Sequence, residues 1–319
     1  MTTMEYRRLG KTELRVSVVG IGTWQFGGEW GKRFTQPEVD RILGRARELG
    51  VNLIDTAECY GDHLSESLIG QATGHMRDDW VIATKFGHRF KGHLERDQLW
   101  SPDEVRQQLE DSLRALQTDV IDLYQFHSGS DEAFDKDELW TMLHKQVEAG
   151  KVRFLGLSIS SGIDPVHQVT KATEVGASVL QVVYNRLERK PEELIFPHSI
   201  EQDLGVLARV PLASGFLSGK YRPGTRFTAK DDARASRNQE RLQEQLRQVQ
   251  EIQRNEVPAG VEMAPWALAW CLQHPAVTCV IPGCKSLGQV ESNASAAGLD
   301  LVCDDQPQAV ACPRLGRRA

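Results

Sequence analysis

Asp55-Thr56-Ala57-Glu58-Cys59-Tyr60-Gly61 follows directly on the run Val51-Asn52-Leu53-Ile54. A short apolar run bounded by turn residues reads as a buried strand. A carboxylate and a phenol therefore leave the end of one strand together. Two further runs, Trp80-Val81-Ile82-Ala83-Thr84 and Val120-Ile121-Asp122-Leu123-Tyr124-Gln125-Phe126, end in Lys85 and His127. Four ionisable groups at successive strand ends predict an acid–base site.

Outward from this stretch, strand-like and helix-like segments alternate. The patterning predicts strands at 16–23, 51–54, 80–84, 121–126, 152–157, 179–183, 206–210 and 277–281. Helices are predicted at 38–49, 66–73, 138–148, 166–175, 191–202, 265–273 and 288–297, with Gly50, Gly150 and Gly176 as stops. Another opens at Ser101-Pro102-Asp103-Glu104, an N-cap, an N1 proline and an acidic first turn. Eight strands, each followed by a crossover helix, predict an α/β fold: a (β/α)8 TIM barrel, one domain over 1–319. A doubly wound open sheet is the alternative, but Gly20-Ile21-Gly22-Thr23-Trp24 lacks a GxGxxG that opens a helix. Residues 87–99 read as a long basic loop and 214–258 as an insertion after the seventh strand. Within that insertion Leu242, Leu246, Val249 and Ile252 form a narrow apolar stripe. It suits packing on the barrel rim, with partner binding as the alternative. Trp140, Trp266 and Trp270 fall inside helix patterns and read as packing.

Composition narrows the function. A net charge of -6 disfavours a nucleic-acid surface, which needs a concentrated basic face. Cys59, Cys271, Cys279, Cys284, Cys303 and Cys312 show neither a disulfide framework nor metal-finger spacing. The stretch from Met263 to Cys284 is free of Asp, Glu, Lys and Arg, but prolines and His274 break it as a membrane span. The first residues lack the apolar core of a signal peptide, so a cytoplasmic protein is expected. Nothing demands more than a monomer.

In a (β/α)8 barrel the carboxyl ends of the strands line one mouth. Asp55, Tyr60, Lys85 and His127 are thus expected to converge. A lysine ammonium should lower the phenol pKa from its usual value near 10. A carboxylate would hold the lysine, and a histidine would orient a carbonyl oxygen. The set suits protonation of an oxygen as hydride reaches its carbon. No side chain donates hydride, so a nicotinamide cofactor is implied.

With these residues in view, the chain resembles the aldo-keto reductases. Asp55 to Gly61 match the motif Asp-Thr-Ala-x-x-Tyr-Gly, and Lys85 and His127 match its strand-end lysine and histidine. Arg8-Leu9-Gly10-Lys11-Thr12-Glu13-Leu14, Gly22-Thr23-Trp24, Gly156-Leu157-Ser158, Pro211-Leu212-Ala213-Ser214-Gly215 and Ile281-Pro282-Gly283 also match. The resemblance spans about residues 6–297. It implies an oxidoreductase that uses NADP(H), with NAD(H) as a variant, on a small aldehyde, ketone or sugar. Tyr60 would be the general acid, Asp55 and Lys85 its tuning pair, and His127 the carbonyl-orienting group. Cofactor contacts are implied for Gly22, Thr23, Trp24, Asp55, Ser158, Gln181, Arg209, Leu212, Ser214, Lys220, Gly283, Lys285, Gln289 and Asn293.

Ile159, Arg209 and Ser292 depart from residues common in the family. The first two bear on support of the nicotinamide, and the third lies near the adenine. Trp24, Trp30, His88, Phe90 and Trp100 are expected to shape the substrate mouth. Cys59 invites a redox-switch reading, although a small loop residue suffices there. His63, His88 and His93 match no ligand spacing, so no metal is expected. The resemblance extends to channel-associated β subunits. A redox-sensing or regulatory NADP(H)-binding subunit with slow turnover is therefore the rival, and oxidation of an alcohol by the same residues is a third reading.

Overall fold

Alternation along eight short strands decides which side chains face inward. The computed structural model describes residues 3–162 and 164–299. The strands are Ile21–Gly22 (β1), Leu53–Asp55 (β2), Val81–Phe86 (β3), Ile121–His127 (β4), Val152–Ser158 (β5), Ala177–Val183 (β6), Gly205–Arg209 (β7) and Cys279–Ile281 (β8). They are parallel and lie side by side in chain order. Parallel bridges from Val19 to Val280 and from Gly22 to Gly283 close the sheet. The Gly20 amide donates to the Val280 carbonyl at 2.8 Å, and Gly22 donates to Pro282 at 3.0 Å. This is a (β/α)8 barrel, and closure excludes the open sheet.

The inner wall has an apolar layer and a polar layer. Leu53, Ala83, Leu123, Val179 and Leu207 form one interior cluster. Side chains two residues apart share a face of a strand. The next inward positions are therefore Asp55, Lys85, Gln125, Gln181 and Arg209. The intervening residues, such as Ile54, Ile82, Phe126 and Val206, pack outward against the helices. Chemistry thus stands one layer above a dry plug.

Residues 16–23 are not one strand. Arg15–Ser17 pairs antiparallel with Tyr6–Arg8, and this hairpin seats Leu9 and Val16 in the interior cluster. Only Ile21–Gly22 joins the barrel. A continuous apolar run does not reveal that two sheets share it. Residues 87–99 are not a loop but a hairpin of His88–Gly92 with Glu95–Gln98. Its strands are polar and lack the alternation that marks a strand.

The main helices lie close to expectation: Gln36–Glu48, Leu64–Thr73, Pro102–Leu116, Asp137–Glu148, Met263–Leu272 and Leu287–Ser295. Ser101 caps its helix as its sequence predicts, with its hydroxyl accepting from Glu104. The helix expected at 166–175 shortens to Val166–Thr170, and 191–202 divides into Pro191–Leu194 and Phe196–Glu201. Residues 214–258 contain the helix Gln239–Asn255. Its stripe of Leu242, Leu246, Val249 and Ile252 is buried in the outer core, which leaves it no free face for a partner. Trp140, Trp266 and Trp270 are buried as well. No helix among the described residues is long and apolar enough to cross a membrane.

Candidate active site

Asp55 and Lys85 occupy inward positions on neighbouring strands, and both are buried. The Lys85 ammonium donates to Oδ1 of Asp55 at 2.8 Å, to the Thr56 carbonyl at 2.6 Å and to the Tyr60 hydroxyl at 3.4 Å. Burial opposes its charge, but Asp55 and Tyr60 outweigh burial and raise its pKa. The other Asp55 oxygen accepts from Gln181 at 2.6 Å and Gln125 at 3.2 Å. A carboxylate with every oxygen engaged holds one position.

Tyr60 is set by a tight contact between two loops. Gly61 has a φ of 70°, and a Cβ there would lie 2.6 Å from the Gly27 carbonyl oxygen. Conversely, a Cβ on Gly27 would lie 2.6 Å from the Tyr60 carbonyl carbon. Glycine at both points lets the turn Trp24–Gly27 lie against Tyr60, whose ring stacks 6.0 Å from Trp24. Burial pushes the phenol up to about 12, while Lys85 pulls the other way. The lysine therefore acts in the direction expected from sequence, but desolvation is larger and the phenol stays protonated at neutral pH.

His127 ends β4, with its ring centroid 6.2 Å from that of Tyr60. Burial, and then His88, Lys85, Arg209 and Arg96, holds its pKa well below the usual value. A neutral imidazole results. Burial and Arg96 likewise lower His88 to about 4. Burial pushes the Cys59 thiol up, the opposite of a reactive thiolate.

These groups face a cleft of about 660 Å³. Of the expected residues, Gly22, Thr23, Trp24, Trp30, Asp55, Tyr60, His88, His127, Gln181, Arg209, Leu212, Ser214, Lys220, Gly283, Lys285, Gln289 and Asn293 line it. Lys85 and Ser158 do not. Lys85 is fully buried among Asp55, Thr56 and Tyr60, and Ser158 lies behind Gln181, its hydroxyl 3.5 Å from the amide oxygen. Phe90 and Trp100 also miss the cleft. Phe90 packs against the Arg96 guanidinium, and Trp100 is pressed on Gly87, where a Cβ would come within 1.9 Å of its ring.

Several residues in or behind the cleft wall escape sequence reading. Glu29, itself buried, accepts from Trp24 Nε1 at 2.8 Å, the Leu94 amide at 2.7 Å and Arg96 at 2.5 Å. It ties the β1 loop to the hairpin after β3. Arg234 is buried against Phe227 and paired with Asp232 at 2.6 Å. Gln125 was visible only as a strand residue, although its inward register with Lys85 places it beside Asp55. The two departures at Ile159 and Arg209 meet, since the guanidinium donates to the Ile159 carbonyl at 2.9 Å. Cys303 and Cys312 lie outside the described residues. Cys59, Cys271, Cys279 and Cys284 are free thiols.

The β1 loop is also bonded to the insertion after β7 and to the loop after β8. Gly31 donates to the Asp231 carbonyl at 2.8 Å, and Ala233 donates to Glu29 at 3.0 Å. Lys285 donates to the Trp30 carbonyl, and Lys32 donates to the Lys285 carbonyl at 3.2 Å.

Comparison with known proteins agrees with this geometry. The profile described as "Aldo/keto reductase family" matches residues 18–312. The chain is 30% identical to a protein of Oryza sativa subsp. japonica named "Probable voltage-gated potassium channel subunit beta", over 94% of this chain and 92% of that one. The holo form of an aldo-keto reductase from Bacillus halodurans superposes with a TM-score of 0.78 at 30% identity, covering 93% of this chain and 91% of that one. A glycerol dehydrogenase from Gluconobacter oxydans gives 0.79 at 29% identity, with 93% and 90% covered.

Proposed function

Because the chain belongs to the aldo/keto reductase family, an oxidoreductase family, we propose that it transfers hydride between NADP(H) and the carbonyl or alcohol carbon of a small aldehyde, ketone or sugar. The observation that carries this is the Lys85 ammonium, shared between Asp55 and the Tyr60 hydroxyl beneath a cleft that His127 also faces. The protein would work as one barrel domain in the cytoplasm.

Residues around the cleft fit a dinucleotide. Nε of Arg209 and Nδ2 of Asn293 are buried donors with no partner among the described residues, and both residues line the cleft. Lys220, Arg234 and Lys285 supply cations along the same half. Gly22, Thr23, Trp24, Gln181 and Arg209 would hold the nicotinamide end, with Ser158 positioning Gln181. Leu212, Ser214, Lys220 and Arg234 would hold the pyrophosphate. Gly283, Lys285, Gln289 and Asn293 would hold the adenosine end. When bound, NADP(H) would supply or accept the hydride.

The chain's own residues handle the proton. Tyr60, protonated at neutral pH, donates to the carbonyl oxygen as charge grows there. Lys85 stabilises the phenolate left behind, and Asp55 keeps the ammonium in place. Neutral His127 donates one hydrogen bond to the same oxygen and fixes its direction. Asp55, Tyr60 and His127 form one wall, with Lys85 behind it, while Trp24 and Trp30 form another.

The bonds that tie the β1 loop to residues 231–233 and to Lys285 support a second reading, a redox-sensing or regulatory subunit with slow turnover, because such ties beside the cleft would slow exchange of a dinucleotide. Mixing NADPH-loaded protein with a panel of aldehydes separates the two. Repeated cycles of NADPH absorbance loss support the reductase. A single cycle across the panel supports the sensor. Cycling only with alcohols and NADP+ assigns the reverse direction.

A further inference from the structure

His127 has to present a proton to the carbonyl oxygen, and a neutral imidazole carries only one. Which ring nitrogen bears it is set by what the other nitrogen touches. Stacking on His88, with centroids 4.5 Å apart, fixes the plane of the His127 ring. It does not choose between the ring's two flips or its two tautomers. Sγ of Cys59 lies 3.8 Å from Nδ1 of His127, within reach of a hydrogen bond through sulfur. Nε2 makes no hydrogen bond among the described residues, and His127 lines the cleft.

Two neutral groups meet at this contact. Burial pushes the Cys59 thiol up and holds the His127 imidazole down, which disfavours a thiolate–imidazolium pair. A second polar neighbour of the sulfur is the Arg96 guanidinium. It offers the sulfur an N–H and has no lone pair to take the S–H proton. The thiol proton is thus left for Nδ1. Glu58 is the competing acceptor, with Oε1 3.9 Å from Nδ1. That separation exceeds an N–H···O bond, and the same oxygen already accepts from the His88 amide at 3.0 Å.

We propose that Cys59 is a positioning residue for the carbonyl reduction: its S–H donates to Nδ1 of His127 and keeps the imidazole proton on Nε2, where it meets the carbonyl oxygen. This rests on the reductase reading above. With the proton on Nδ1 instead, Nε2 would turn a lone pair toward that oxygen and repel it. Tyr60 still gives up the proton that moves, while His127 gives only a hydrogen bond. Neither the thiol nor the imidazole changes its protonation during the reaction. Cys59 and Tyr60 are consecutive, so one turn after β2 supplies both the acid and the group that aims its partner.

Long-range ¹H–¹⁵N correlation spectra of the full-length protein, labelled with ¹⁵N-histidine, read the tautomer directly. The His127 signals are identified by their loss in His127→Gln. At neutral pH the parent should show Nε2 protonated and Nδ1 bare. Cys59→Val keeps most of the side-chain volume without the S–H, and Cys59→Ala removes the S–H with less bulk. Each should populate the Nδ1–H tautomer and lower kcat for the carbonyl about tenfold, the order of one lost hydrogen bond. NADPH affinity should stay unchanged. A parent with its proton on Nδ1 overturns the inference. So does an unaltered tautomer in both variants, or a parental kcat in a variant whose tautomer has changed. The spectra require neither a carbonyl nor NADPH. An Nε2–H tautomer in a parent that turns over no carbonyl would refute the reductase reading, whereas turnover with Nδ1–H would refute the role of Cys59 alone.

Discussion

The Lys85 ammonium lies 3.4 Å from the Tyr60 hydroxyl while bonded at 2.8 Å to Asp55, so one buried cation serves a phenol and a carboxylate together. Replacing Tyr60 with Phe removes the proposed proton donor and keeps the ring that stacks on Trp24. Carbonyl turnover should fall by about 10²–10⁴-fold. NADPH binding, followed by fluorescence, should be unchanged. Turnover equal to the parent's would reject Tyr60 as the acid.

Asp55→Asn should destabilise the protein by about 3–5 kcal/mol, because it leaves the Lys85 charge buried without its counter-ion. The double variant Asp55→Asn/Lys85→Met removes both charges. It should recover most of that loss in urea unfolding while remaining inactive. A double variant as unstable as the sum of the single ones would show that the ion pair is not the cause.

Glu58 makes stability depend on pH. Burial, and then Glu66, pushes its carboxyl up to about 8, against an ordinary 4.5. Between those values the folded protein keeps a proton that the unfolded chain releases. Its contribution is therefore complete below the unfolded value and is lost as pH rises through the folded one. Glu58→Gln lacks this loss. Urea unfolding at pH 5, 6 and 7 should show the variant gaining on the parent by about 1.4 kcal/mol per pH unit. Parallel curves would rule the effect out.

Glu29 fastens Trp24, Leu94 and Arg96 at one edge of the cleft. Glu29→Ala should loosen the hairpin after β3 and raise KM for the carbonyl roughly tenfold, the loss of one charge-assisted contact. The value of kcat should change much less. A fall in kcat with KM constant would move Glu29 into the proton-transfer step instead.

Lys285 holds the Trp30 carbonyl and lines the cleft where the adenosine end of the cofactor is proposed to sit. Lys285→Met should weaken NADPH binding by about 10–100-fold, the range of a hydrogen bond to a charged group. NADH, with one phosphate fewer, should lose less. Equal losses for both cofactors, measured by calorimetry, would place the lysine away from that phosphate.

Much of this was legible in the residues. Leu53 and Asp55, Ala83 and Lys85, and Leu123 and Gln125 are pairs two residues apart on short strands, so a chemical layer above an apolar one follows from alternation. The hairpin of His88–Gly92 and Glu95–Gln98 was not legible, because polar strands at the rim carry no apolar period. Nor was the split of 16–23 between two sheets. Phe90 and Trp100 looked like mouth residues by composition, yet packing turned both away from the cleft.

Local order in the chain determined the strands, their sequence along the barrel, and Asp55, Tyr60, Lys85 and His127 at their ends. Only the lateral assembly of the strands decided that Glu29 meets Arg96, that Arg209 meets Ile159, and that Cys59 meets His88 and His127. It also decided how far burial outweighs Lys85 at the Tyr60 phenol. Side-chain alternation is set by each residue's own backbone, whereas these contacts and the loss of water around them depend on segments far apart in the chain.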